Sequence, residues 1–299
     1  MFENYKEQVR LLVKVLPLAA EESCFALHGG TAINLFVRDM PRLSVDIDLT
    51  YLPIEDRQTT LGNISAALIR TKNRIEKSIS NIRVEHKQDT GKLFIIQQET
   101  VIKLEVNLVM RGTITAPVPM TICDKAKEEF EVFVEMPVVP IGQLYGGKIC
   151  AALDRQHPRD LFDVKLLLEN EGFSNEIRQG YIFCLLASDR PIHEVHAPNF
   201  QDHHEAMENQ FSGMSDEEFF YGDYEETRKT LVEIVHDNLT DKDKEFLLSV
   251  KNCEPDWSIY DFDRFPAVKW KLQNLHKLKV ENPDKHKRFY DALKEKLEK

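Results

Sequence analysis

The stretch Cys24-Phe25-Ala26-Leu27-His28-Gly29-Gly30-Thr31-Ala32-Ile33-Asn34-Leu35-Phe36-Val37 sets a short apolar run, a glycine pair and a helix-forming run in immediate succession. The apolar run predicts a strand, the glycines a tight turn, and the residues after them a helix that begins at Thr31. A loop at Pro41-Arg42-Leu43-Ser44 then leads to Val45-Asp46-Ile47-Asp48-Leu49, where apolar and acidic residues alternate with the period of a strand. Its two aspartates therefore share one face.

Outward from this unit the pattern is mixed. Within residues 3–19, Tyr5, Val9, Leu12, Val13 and Leu16 lie at helical spacing and predict an opening helix that ends before Pro17. A second long helix is predicted over 57–78, followed by strands at 82–86, 93–97 and 101–109. In Lys103-Leu104-Glu105-Val106-Asn107 the alternation sends Lys103, Glu105 and Asn107 to one face and Leu104 and Val106 to the core. After Pro117 and Pro119, short extended pieces near 132–134 and 138–139 lead to Ile141-Gly142, beyond which helical signals dominate, most clearly over 143–153 and 159–168. The expected fold class is α+β: a mixed sheet with flanking helices over residues 1–140, then a mainly α-helical domain over 141–299. A chain of 299 residues is long enough for two such domains.

Composition bounds the function. Hydrophobic residues at 42% and charged residues at 30% describe a globular chain with a packed core. No apolar run has the ~18 residues a membrane span needs, and Met1-Phe2-Glu3-Asn4-Tyr5 lacks the basic and apolar regions of a signal peptide, so a cytoplasmic protein with no membrane association is expected. Five scattered cysteines without C-x-x-C spacing predict reduced thiols, with neither disulfides nor zinc. The net charge of −11 argues against indiscriminate nucleic-acid binding. Most of it lies between Gln201 and Glu245, with 14 acidic against 4 basic residues, and residues 201–226 there read as a surface loop with short helical pieces. By contrast, Arg264–Lys299 holds 11 basic against 5 acidic residues, and Arg70–Lys92 holds 7 against 3. Each basic stretch suits contact with RNA phosphate, or simply a solvated helix face.

Several residues have the chemistry of a phosphate-transfer site. Two carboxylates at i and i+2 on a strand repel unless a cation lies between them, so Asp46 and Asp48 are candidate metal ligands, or else solvent-facing acids on an edge strand. Gly29-Gly30-Thr31 at a helix start suits phosphate, because glycine lets the backbone approach and a helix N-terminus favours anions. The plainer alternative is an ordinary strand-to-helix turn with Thr31 as N-cap. Glu105 is the candidate third acid of a two-metal site. Lys148 could neutralise triphosphate charge and Asp160 accept a proton from an attacking hydroxyl, with Asp163 one helical turn on; alternatively Lys148 and Asp160 form a structural ion pair. His193, His196, His203 and His204 lack regular ligand spacing, and Trp257 and Trp270, near Phe262 and Phe265, are expected in the core rather than stacking on bases.

The order Gly29-Gly30-Thr31, Arg-x-Ser-x-Asp-x-Asp (Arg42 to Asp48), Lys-x-Glu (Lys103 to Glu105), Lys148, and Asp-x-x-Asp (Asp160 to Asp163) resembles the AbiEii toxins, DNA polymerase β-like nucleotidyltransferases that also include the MenT toxins. The segments Glu254-Pro255-Asp256-Trp257 and Phe265 to Leu275 are similar to a closing segment common in that family, so the resemblance spans most of the chain. One departure is Glu105, where the family more often has Asp.

The resemblance implies a nucleotidyltransferase core followed by a helical domain that completes the nucleotide and acceptor cleft. Asp46, Asp48 and Glu105 would hold Mg²⁺ or Mn²⁺, and Gly29, Gly30, Thr31, Arg42, Ser44, Lys103, Lys148 and Asp163 would hold an NTP. Asp160 or Asp163 would serve as base. The implied reaction transfers a nucleoside monophosphate to an RNA acceptor such as the tRNA 3′ end, in a toxin kept in check by an antitoxin and active in phage defence. Two other functions remain open at this level: nucleotide transfer onto a protein, and nucleotide binding without turnover.

Overall fold

The computed structural model describes residues 2–298; Met1 and Lys299, the last lysine of the basic C-terminal stretch, lie outside the described residues. The chain forms two compact units. One comprises residues up to Pro140 together with Phe211–Glu218, and the other comprises Ile141–Gln210 together with the residues from Phe219 onward.

The first unit runs α1 (Phe2–Ala20), β1 (Phe25–His28), α2 (Gly29–Ala32, widening into a π turn to Val37), β2 (Asp46–Tyr51), α3 (Arg57–Ser78), β3 (Ile82–Lys87), β4 (Lys92–Gln97), β5 (Thr100–Asn107), β6 (Val118–Thr121), α4 (Asp124–Phe130) and β7 (Glu135–Val138). Its strands form one mixed sheet in the order β3-β4-β5-β2-β1-β7-β6. β1 runs antiparallel to β2 and parallel to β7, while β2 runs parallel to β5. Alternation along the three central strands buries Phe25, Leu27, Ile47, Leu49, Leu104 and Val106. Helices α1 and α3 pack against the sheet, and each fully buried leucine of α1, such as Leu12 or Leu16, contributes about 1.5–3 kcal/mol. Asp56 caps α3 by accepting from the amides of Gln58 and Thr59. Glu22, nearly buried, accepts from both Arg70 and Arg74 and so ties the end of α1 to α3.

Three local expectations change. Helix α1 continues through Pro17 to Ala20, because its last turn is held by burial of Ala19 and by Arg74, whose Nε donates to the Leu18 carbonyl. Strand β5 stops at Asn107, two residues early, because the Asn107 Oδ1 accepts from the amides of Val109 and Met110 and closes the strand in a side-chain turn. The extended pieces near the unit's end are 118–121 and 135–138, paired antiparallel, rather than 132–134 and 138–139. Pro119 is tolerated there because β6 is an edge strand, where a missing amide donor need not break the ladder.

The second unit is helical: α5 (Ile141–Arg155), α6 (Pro158–Asn170), α7 (Asn175–Ala187), α8 (Ile192–His196), α9 (His204–Ala206), α10 (Tyr221–Asn238), α11 (Asp241–Lys251), α12 (Pro266–Glu281) and α13 (Pro283–Glu298). Among the described residues no helix is long and apolar enough to cross a membrane. Helices α5 and α7 meet backbone to backbone. A Cβ added at Gly146 would lie 2.2 Å from the Gly180 carbonyl carbon, and one at Gly180 would lie 1.8 Å from the Gly142 oxygen. Phe183 packs against Phe262 and Phe265, and Trp257 against Phe246. Trp270 departs from the expected core position and is 53% exposed.

Because backbone cannot give way as a flexible side chain can, Gly146→Ala is expected to destabilise the helical unit by about 3 kcal/mol or more. Gly147→Ala, whose Cβ would meet only the Cys184 Sγ at 3.7 Å, should be tolerated. Thermal unfolding followed by circular dichroism separates the two variants.

Candidate active site

In the first unit the site grows from the register of two strands. His28 at the end of β1 pairs with Asp48 of β2, so the next residue, Gly29, is carried directly onto the Asp48 carboxylate. Gly29 has φ +75°, and a Cβ there would lie 2.4 Å from Asp48 Oδ2. Gly30 is enclosed differently: its Cβ would meet Arg42 Nη2 at 2.8 Å and Ser44 Oγ at 3.0 Å. The glycine pair is thus a seat shared by an acid, a guanidinium and a hydroxyl.

Helix α2 begins at Gly29, so Thr31 is its third residue rather than its N-cap. Both the predicted helix start and the capping alternative give way to another role. The fully buried Thr31 hydroxyl donates to the Asp46 carbonyl and lies 3.0 Å from Ser44 Oγ. Asn34 Nδ2 donates to the Gly30 carbonyl at 2.9 Å, and Arg42 Nη1 to the Leu43 carbonyl at 2.9 Å. The loop bearing Arg42 is also held from far along the chain: the Leu43 amide donates to the Met214 carbonyl at 2.6 Å, Ser215 Oγ donates to the Pro41 carbonyl at 2.9 Å, and Arg42 bridges to Ser215.

The parallel β2–β5 register sets Asp46 opposite Lys103 and Asp48 opposite Glu105, so these four side chains occupy one polar face. Glu105 accepts from Lys103 at 2.9 Å and from Lys92 at 3.2 Å, one lysine at each oxygen. Burial pushes the Glu105 carboxyl up, but the two lysines overcome this and hold it below its usual range. Burial likewise opposes the Lys103 ammonium, yet its bond to Glu105 and the charges of Asp46 and Asp48 keep its pKa raised.

A divalent cation fits the Asp46–Asp48 pair, since two oxygen donors share a face and the Gly29 seat leaves Asp48 room that a side chain would fill. Glu105 does not complete a triad as it stands, being committed to two lysines. Among the described residues no group of three or more His, Cys, Asp or Glu is gathered to hold a metal, and this includes His193, His196, His203 and His204. Burial lowers the His196 pKa to about 4, and the Tyr181 hydroxyl lies 3.1 Å from its Nδ1.

In the second unit Lys148, Asp160 and Asp163 meet. Lys148 Nζ lies 2.8 Å from Asp160 Oδ1 and 3.0 Å from Asp163 Oδ2, with all three residues buried. Arg155 Nε lies 2.5 Å from the other Asp160 oxygen. Burial raises the Asp160 pKa, but Lys148 and Arg155 outweigh it and hold the carboxyl far below its usual range. The ion-pair alternative from the sequence is therefore present, with Asp163 and Arg155 added. Lys92 and Arg155 were not anticipated: the first is linked to Glu105 only through the β4–β5 register, and the second reaches Asp160 around the turn before α6.

Residues 10–274 match the family described as "Nucleotidyl transferase AbiEii toxin, Type IV TA system". Among solved structures, the chain is similar to MenT4, nucleotidyltransferase toxin Rv2826c from Mycobacterium tuberculosis H37Rv, with a TM-score of 0.64 and 12% sequence identity, covering 91% of this chain and 93% of that one. At that identity the likeness is one of fold. A search of curated protein sequences finds no match.

Asp160→Asn should cost about 3 kcal/mol at pH 7, since the buried Lys148 loses one of its two carboxylate partners. A carboxyl whose folded pKa lies below its unfolded value of about 3.9 stabilises fully above that value and loses the contribution as pH falls through the folded pKa. Urea unfolding should therefore give the same gap between wild type and variant at pH 7 and pH 5, and a shrinking gap below about pH 4.

Proposed function

The chain belongs to the AbiEii family of nucleotidyltransferase toxins of type IV toxin–antitoxin systems, and from that premise we propose that it transfers a nucleoside monophosphate from an NTP to an RNA acceptor such as the 3′ end of tRNA. The observation that carries the proposal is the seat formed where Gly29 closes on Asp48 and Gly30 on Arg42 and Ser44. It puts a glycine backbone, a guanidinium and an acid pair in one place, which is what a nucleoside triphosphate and its counter-ion require together.

In this reading the Gly29-Gly30-Thr31 turn and Arg42 bind the triphosphate, with Ser44 supporting both. Lys103 moderates the charge of the acid face. Asp46 and Asp48 hold Mg²⁺ or Mn²⁺, with Glu105 as a further ligand only if its lysines release it; the bound cation would supply Lewis-acid charge at the phosphates. The acceptor hydroxyl oxygen forms a bond to the α-phosphorus, and the bond to pyrophosphate breaks. Lys148 is proposed to neutralise phosphate charge, with Asp163 steadying it, and Asp160 to take the hydroxyl proton. Asp160 is a weak base while Lys148 and Arg155 hold it, so loss of Lys148 to phosphate is what would raise its basicity. The antitoxin is the expected protein partner.

The test is incubation of purified protein and Mg²⁺ with total tRNA and each α-³²P-labelled NTP. Labelled RNA is expected, lost on chelation of the metal, and reduced about a thousandfold or more in Asp46→Ala/Asp48→Ala. Gly29→Ala, which must displace the Asp48 carboxylate, should cost about a hundredfold. Label in protein instead of RNA, or in neither, would overturn the RNA acceptor.

A further inference from the structure

Helix α12 has a face that the proposed chemistry does not use. From Pro266 to Val280 it carries four lysines and no acidic residue, in a chain of net charge −11. Two of these lysines are turned inward: Lys271 Nζ donates to the carbonyls of Ser188 and Arg190, and Lys279 Nζ to that of Asn252. Lys269 and Lys277 remain exposed, and the helical period lines them up with Trp270, Gln273 and Asn274 on one solvent face. Lys277 has an acidic neighbour, Glu281 at 3.9 Å, but an exposed pair of that length is worth little and yields readily to a phosphate.

Trp270 distinguishes this face from a merely solvated one. The neighbouring aromatics Phe262 and Phe265 are 4% and 0% exposed and pack together on Phe183, so the segment has a well-filled core without the indole. An indole left in water beside two ammonium groups and two carboxamides combines the elements that hold a single strand: a stacking platform, phosphate partners and hydrogen-bonding edges. The acidic stretch Gln201–Glu245 repels a polyanion, and this helix, acid-free from Pro266 to Val280, is where one would be accepted.

We infer that this face of α12 is a docking surface for single-stranded RNA. Trp270 stacks on an unpaired base, Lys269 and Lys277, about 12 Å apart along the helix, each pair with a phosphate, and Gln273 and Asn274 bond to base or ribose edges. The inference rests on the RNA acceptor proposed above and adds where that RNA is held.

The experiment titrates the full-length protein, without NTP, into fluorescein-labelled tRNA and into a labelled single-stranded RNA oligonucleotide, reading anisotropy at several salt concentrations. Trp270→Ala is expected to weaken binding about tenfold, with Trp270→Phe recovering most of it. Lys269→Ala/Lys277→Ala should reduce the slope of log K against log salt by about 1.4, or about 0.7 per phosphate lost. All substituted side chains are exposed, and circular dichroism checks that each variant is folded. If wild type transfers nucleotide to RNA while the variants bind RNA with unchanged affinity and salt slope, the docking surface is overturned and the proposed reaction stands. If wild type neither binds nor labels RNA, both fall together.

Discussion

The constraint on which the first unit depends is the closure of a glycine backbone over a carboxylate. The His28–Asp48 pairing fixes where the chain leaves β1, and from there only a residue without a Cβ, and able to adopt positive φ, can continue. Everything else at the site follows from that turn. Thr31 is carried to the Asp46 carbonyl, Gly30 opens a place for Arg42 and Ser44, and the two aspartates are held on the polar face of a sheet whose opposite side is packed with Phe25, Leu27, Ile47 and Leu49. The apolar residues between the acids are what make the acids rigid: Ile47 cannot move without exposing itself, so Asp46 and Asp48 keep their spacing.

Charge at the two clusters is balanced in different ways. On the sheet the charged form of Lys103 is favoured by Glu105, Asp46 and Asp48, while that of Glu105 is favoured by Lys103 and Lys92. These side chains are only half-buried, so water and incoming ligands can alter the balance at modest cost. In the second unit Lys148 is buried between Asp160 and Asp163 at short range, and only Arg155 reaches water. Removing one member of a dry cluster is costly because the remainder has no water to turn to.

Much of this was legible in the sequence, where the signal was local. Alternation in Asp46-Ile47-Asp48 and in Lys103-Leu104-Glu105 gave the correct faces because period two is a property of any strand, and the glycine pair marked a turn because few other residues serve there. What could not be read was register. Nothing in the order of residues says that Asp48 lies opposite Glu105, or that Lys92 reaches the same carboxylate from the next strand. The helix starts two residues before Thr31 because a left-handed glycine opens it, and Trp270 carries the same sequence signal as its aromatic neighbours, which are in the core, while itself lying in solvent.

The segment Phe211–Glu218 belongs to the first unit although 70 residues of the second precede it in the chain. Met214 and Ser215 supply the hydrogen-bond partners of Leu43 and Pro41, on either side of Arg42. During synthesis the ribosome therefore releases the glycine turn and both aspartates long before it releases the residues that fix the arginine loop. A nascent or prematurely ended chain that stops short of residue 214 carries the acid pair without that brace. For a protein of a toxin family, the order of synthesis itself delays the finished loop until Ser215 has been made.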